Sequence, residues 1–103
     1  VICFTKGKQY LKAKPNLKAI NIINELYKKG HYIKIFTARY MGRNNDNAVK
    51  AKKQGYKITS LQLKKWKINY NKLILGKPSY DLFVDDKAMF FKKNWYKTLE
   101  KYL

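Results

Sequence analysis

The stretch that most constrains this chain runs from Lys72 to Ala88, KLILGKPSYDLFVDDKA. It holds an apolar run (Leu73 to Leu75), a turn (Gly76 to Ser79) and a second apolar run (Leu82 to Val84) that stops at Asp85 and Asp86. The chain has only six acidic residues, so two side by side where a strand would end stand out. In open α/β sheets, ligands bind outside the carboxyl ends of the strands. Two carboxylates there suit Mg²⁺, a hard cation that takes few protein oxygens and keeps several waters. Lys77 would neutralise an anion held beside such a metal. The plain alternative is a solvated turn after an edge strand, and a motif this short does not decide between the two.

The sequence of 103 residues has room for one domain, 1–103. No apolar run is long enough to span a bilayer, and no secretory signal pattern opens it. The single Cys3 has no internal disulfide partner, which fits a reducing, cytoplasmic setting and a buried structural thiol. A formal charge of +18 will attract anions of any kind. Yet Arg occurs only at positions 39 and 43, while Lys is spread along the whole chain. Readers of nucleic acid lean on Arg for bidentate contacts. The abundance of Lys, Asn, Ile and Tyr therefore fits an A/T-rich coding sequence better than a nucleic-acid role.

Taken in order, Val1 to Phe4 (VICF) reads as the end of a strand whose beginning is missing, and a polar loop then runs to Lys14. Pro15 opens a helix with a stripe of Leu17, Ile20, Ile23, Leu26 and Tyr27, closed by Gly30. Tyr32 to Thr37 (YIKIFT) is a buried strand, so a strand–helix–strand unit at this end is expected. His31, with no partner cluster, is a surface or packing histidine. Thr37, Ala38 and Arg39 put a hydroxyl, backbone amides and a guanidinium at the strand's carboxyl end, a plausible phosphate cradle. The alternative is a strand-ending Thr beside a surface Arg. Two short helices come next, Asn47 to Gln54 stopped by Gly55 and Ile58 to Trp66 capped by Thr59 or Ser60. Leu73 to Leu75 and Leu82 to Val84 are the last two strands. The short link between them would be nearly taut and would hold Lys77 over the sheet. A final helix covers Lys92 to Leu103.

Thr37 at a strand end, Lys77 in a Gly-Lys-Pro turn and Asp85-Asp86 at a second strand end stand in the order of three motifs of the haloacid dehalogenase (HAD) superfamily of phosphatases. FTAR (Phe36 to Arg39) and GKPSYDLFVDD (Gly76 to Asp86) carry the resemblance, which is strongest to the small capless members of capsule biosynthesis. It implies an α/β, three-layer Rossmann-like fold with a parallel sheet and no large cap domain. It also implies Thr37 and Lys77 as catalytic and phosphate-binding residues, Asp85 and Asp86 as Mg²⁺ ligands, and hydrolysis of a small phosphorylated metabolite, a surface-polysaccharide sugar phosphate being the leading candidate. The family's first motif, Asp-x-Asp-Gly, supplies the nucleophile and the general acid and base. Here no acidic residue precedes Glu25. In the family, a stretch like VICF commonly comes directly after that motif. The expectation is therefore a truncated first strand, with the nucleophile lost ahead of Val1 and the chain inactive as it stands. A non-catalytic relative and a basic nucleic-acid-binding module are the alternatives.

Overall fold

The computed structural model describes residues 1–103 as a small α/β protein without a large cap. Two residues at the start, Cys3–Phe4 (β1), pair antiparallel with Lys14–Pro15 (β2). Helix α1 spans Leu17–Lys28, strand β3 Lys34–Thr37, helix α2 Ala48–Lys65 and strand β4 Lys72–Leu75. The chain closes on a 3₁₀ helix, Trp95–Tyr102. Strands β3 and β4 are parallel, with Lys34 opposite Lys72 and Thr37 opposite Leu75. A parallel pair needs a crossover, and α2 supplies it.

Helix α1 starts two residues later than proline suggests. Pro15 sits in β2, where its fixed φ serves an edge strand, and Asn16 caps the helix by accepting a bond from Ala19 N at 3.3 Å. Ala19, Ile20, Ile23 and Leu26 form the buried stripe, while Leu17 and Tyr27 are exposed. Ala19, Ile20 and Ile23 of the stripe pack with Leu63 of α2, Leu73 and Leu75 of β4, Ile68 and Trp95 into the main core. Asn24 ties α1 to the turn after α2: it donates to Lys67 O at 3.0 Å and accepts from Asn69 N at 2.7 Å.

Four expectations are corrected. VICF does not lie parallel beside the strand ending at Thr37; it forms a hairpin with the chain ahead of α1, and the strand–helix–strand unit is β3–α2–β4 instead. The two short basic helices are one, running unbroken through Gly55. Glycine costs a helix interior about 1 kcal/mol, but tertiary packing offsets it here. A Cβ on Gly55 would stand 2.3 Å from Tyr40 Cδ2 and 3.0 Å from Leu75 Cδ2. Finally, Leu82 to Val84 forms no strand, and Leu82 is 81% and Val84 88% exposed. A strand needs a neighbour for its N–H and C=O groups. With β1 turned away into its own hairpin, the sheet offers this segment no adjoining strand. The end of the chain also differs in kind, since the last helix is 3₁₀ and shorter than Lys92 to Leu103.

Candidate functional site

The carboxyl ends of β3 and β4 lie side by side, and the path of the chain immediately after each strand builds the site. After Thr37 the backbone turns so that Arg39 N donates to Thr37 Oγ1 at 3.1 Å. The hydroxyl accepts that bond and keeps its own proton to give. After Leu75 the backbone passes Gly76 at φ +113, where a Cβ would press on Ala48 Cβ at 3.0 Å. Glycine is therefore required at this position. The turn brings Lys77 N onto Thr37 O at 3.2 Å, so a residue from each strand end meets the other.

A cavity of about 510 Å³ opens beside this junction. Thr37, Ala38, Arg39 and Lys77 line its polar end, and Ile23, Ile35 and Leu63 are among the side chains of its apolar wall. The four residues singled out from sequence as phosphate-binding thus share one cavity, and all are half-buried. Arg39 is held from three sides. Its Nη1 donates to Gln62 Oε1 at 2.7 Å, its Nη2 reaches Cys3 Sγ at 3.5 Å, and its guanidinium stacks on Tyr10 at 4.9 Å. Gln62 is fixed in turn by donating to Tyr10 O at 2.8 Å. A guanidinium has five N–H donors, so an anion in the cavity meets a pre-oriented cation with donors to spare. Cys3 is accordingly a half-buried free thiol beside Arg39 rather than a fully buried packing group.

Two features here escape sequence reasoning. Thr59, read as a helix cap, is buried in the middle of α2 and lines the same cavity. Its Oγ1 has no hydrogen-bond partner. An unpaired buried hydroxyl costs about 1–3 kcal/mol, so this atom is the kind that a ligand satisfies. The second is Tyr40, whose backbone takes φ +67. A bulky residue in the left-handed region is a real outlier, worth about 1–3 kcal/mol of strain, and such outliers gather at functional sites. The missing side chain of Gly55 gives the Tyr40 ring its seat. No local pattern in the sequence signals either feature, because both depend on what lies opposite.

Asp85 and Asp86 lie elsewhere. Both are exposed, neither lines the cavity, and Asp85 Oδ1 accepts a bond from Lys87 N at 3.0 Å. No group of three His, Cys, Asp or Glu side chains comes together anywhere in the chain. Mg²⁺ wants near-octahedral oxygen, and two solvated carboxylates apart from the cavity do not fit it. His31 is exposed, with Nε2 3.3 Å from Tyr102 O. No helix is long and apolar enough to cross a membrane.

Comparison with known proteins bears on the fold alone. No family model matches the chain, and no curated protein matches it. It is similar to a structural-genomics target from Vibrio cholerae, known from a crystal structure. The TM-score is 0.78 at 25% identity, over 99% of this chain and 91% of that one. That protein's description states no activity.

Proposed function

We propose that the cavity at the ends of β3 and β4 binds the phosphoryl group of a phosphomonoester, as the corresponding site does in HAD-type phosphatases. The observation that carries this reading is the meeting of Thr37 and Lys77, forty positions apart in sequence, across one backbone hydrogen bond and over one cavity. In this reading the Thr37 hydroxyl donates to one phosphoryl oxygen. The Arg39 guanidinium and the Lys77 ammonium neutralise the others, and Thr59 Oγ1 offers a further hydrogen bond. Such pre-oriented donors are what phosphoryl transfer asks of a protein, since that chemistry is mostly positioning and charge stabilisation.

No carboxylate lines the cavity, so these residues hold the phosphoryl group and do not attack it. The 103-residue chain is expected to bind phosphate esters without hydrolysing them. The three-layer Rossmann-like arrangement and a sugar phosphate of capsule or surface-polysaccharide synthesis as substrate rest on the sequence resemblance, whereas the Mg²⁺ role it implies for Asp85 and Asp86 has no support in their exposed position.

The test is a titration with a hexose monophosphate followed by ³¹P NMR or calorimetry. Thr37→Val and Lys77→Ala should each weaken binding by about tenfold, the scale of one charge-assisted hydrogen bond. Equal affinity in the parent and both variants would refute the assignment.

A further inference from the structure

Both arginines of the chain meet on one aromatic surface just beyond the cavity. Arg39 stacks on Tyr10 from the cavity side, and Arg43 stacks on Tyr40 at 4.5 Å and on Tyr10 at 5.6 Å. The two tyrosine rings are 5.0 Å apart and tilted by 56°. Arg43 lies in a short 3₁₀ turn, Gly42–Asn44. It lines a second recess, of about 370 Å³, together with Tyr10, Tyr40, Lys8 and Lys12. No acidic residue lines that recess. Its three cations are exposed and come from two separate segments, with the Arg43 guanidinium steadied on ring faces.

The two anion-friendly places are close. Arg39 and Arg43 hold their guanidinium carbons 4.9 and 5.6 Å from the same Tyr10 ring centroid, so the two cations are at most about 10.5 Å apart. Tyr10 belongs to both: it carries Arg39 of the cavity and lines the recess with Arg43.

We infer that the recess formed by Lys8, Lys12, Arg43 and the two tyrosines is a second phosphate subsite. The ligand of this protein then carries two phosphoryl groups about one nucleotide unit apart. This rests on the reading of Thr37, Arg39 and Lys77 as the first cradle, and it narrows the substrate class. A free nucleoside 3′,5′-bisphosphate carries two phosphomonoesters at this spacing, and the 5′-phosphorylated end of a single strand presents a monoester followed by a phosphodiester. The scarcity of arginine in the sequence speaks against a surface that reads bases, but not against this one. Both arginines are concentrated in one place, where planar forks match phosphate geometry.

The experiment measures the affinity of the 103-residue chain for three probes at about physiological salt: a hexose monophosphate, a nucleoside 3′,5′-bisphosphate and a 5′-phosphorylated oligothymidylate. The bisphosphate should bind at least about tenfold tighter than the monophosphate. Arg43→Ala should erase that advantage and leave the monophosphate unchanged, with far-UV circular dichroism showing an intact fold. Arg43→Lys, which keeps the charge and loses the planar fork, should fall between. An oligonucleotide that binds like the bisphosphate, with the same Arg43 dependence, marks a strand end as the source. A much weaker one marks the free nucleotide. Equal affinity for monophosphate and bisphosphate, or an Arg43→Ala variant that weakens both alike, would overturn the inference. If Arg43→Ala acts but Thr37→Val and Lys77→Ala do not, the first cradle fails and the bridging ligand with it, leaving the recess as a separate anion site.

Discussion

Gly55→Ala is the substitution that most sharply separates local propensity from packing in this protein. Judged as a helix residue, alanine in the middle of α2 should stabilise by about 1 kcal/mol. The structure says otherwise. The new Cβ would lie 2.3 Å from Tyr40 Cδ2 and 2.6 Å from Cε2, far inside contact distance. Tyr40 cannot simply swing into water, because it is only 8% exposed and packs with Met41 and Ala51. Overpacking of this kind costs about 1–3 kcal/mol, and the severity of the overlap argues for the upper end. Displacing the ring also loosens the Tyr10–Tyr40 pair and the Arg43 stack, worth about 0.5–1.5 and 0.5–1 kcal/mol.

After the helix gain is subtracted, the net loss is about 3–4.5 kcal/mol. For a domain of this size that lowers Tm by roughly 15–20 °C. Only 14 of the 103 residues are buried, so the core has little to spare. The assay is thermal unfolding by far-UV circular dichroism, with Tyr40→Leu as a second background. There Gly55→Ala should cost far less, since the overlapping ring atoms are gone. A Gly55→Ala protein that melts at or above the parent temperature would refute the argument.

Asn24→Ala should destabilise by about 1–3 kcal/mol in urea unfolding, because its side chain both donates to Lys67 O and accepts from Asn69 N. A surface asparagine without that role would change stability by less than about 0.5 kcal/mol. Thr59→Val removes a buried hydroxyl that has no partner, so it should raise stability by about 1 kcal/mol. The same variant should weaken binding of a hexose monophosphate if that hydroxyl serves the ligand. Loss of stability on Thr59→Val, seen as a lower urea midpoint, would mean that the hydroxyl is satisfied in solution.

The elements legible in the sequence are those whose signals are local. Ile20, Ile23 and Leu26 announce the buried face of α1, the runs Tyr32 to Thr37 and Leu73 to Leu75 point to the strands found at Lys34–Thr37 and Lys72–Leu75, and Thr37 through Arg39, picked out on residue types, do share the lining of one cavity. The misreadings share a different cause. Gly55 looks like a stop because nothing local reveals that Tyr40 and Leu75 crowd it. Pro15 looks like a helix start because its fixed φ suits a helix and an edge strand equally well. Leu82 to Val84 has the composition of a strand, but a strand exists only where a neighbour accepts its hydrogen bonds. The same limit hides the recess: Tyr10, Tyr40 and Arg43 carry no motif, and only the fold brings them together.

The chain from Gly76 to Asn94 carries no helix or ladder, yet the segment beyond it is anchored. Trp95 is buried in the main core with Ile20 and Ile23. The last carbonyls are met by Lys29 Nζ and, at 3.3 Å, by His31 Nε2. The terminal 3₁₀ helix is thus held by docking rather than by its peptide connection. Brief trypsin treatment should cut after Lys87, in an exposed turn where the backbone can open without unfolding the core. The two fragments should then travel as one particle in native gel filtration and separate only in denaturant. Complementation between separately made pieces becomes a way to label either side of the molecule alone.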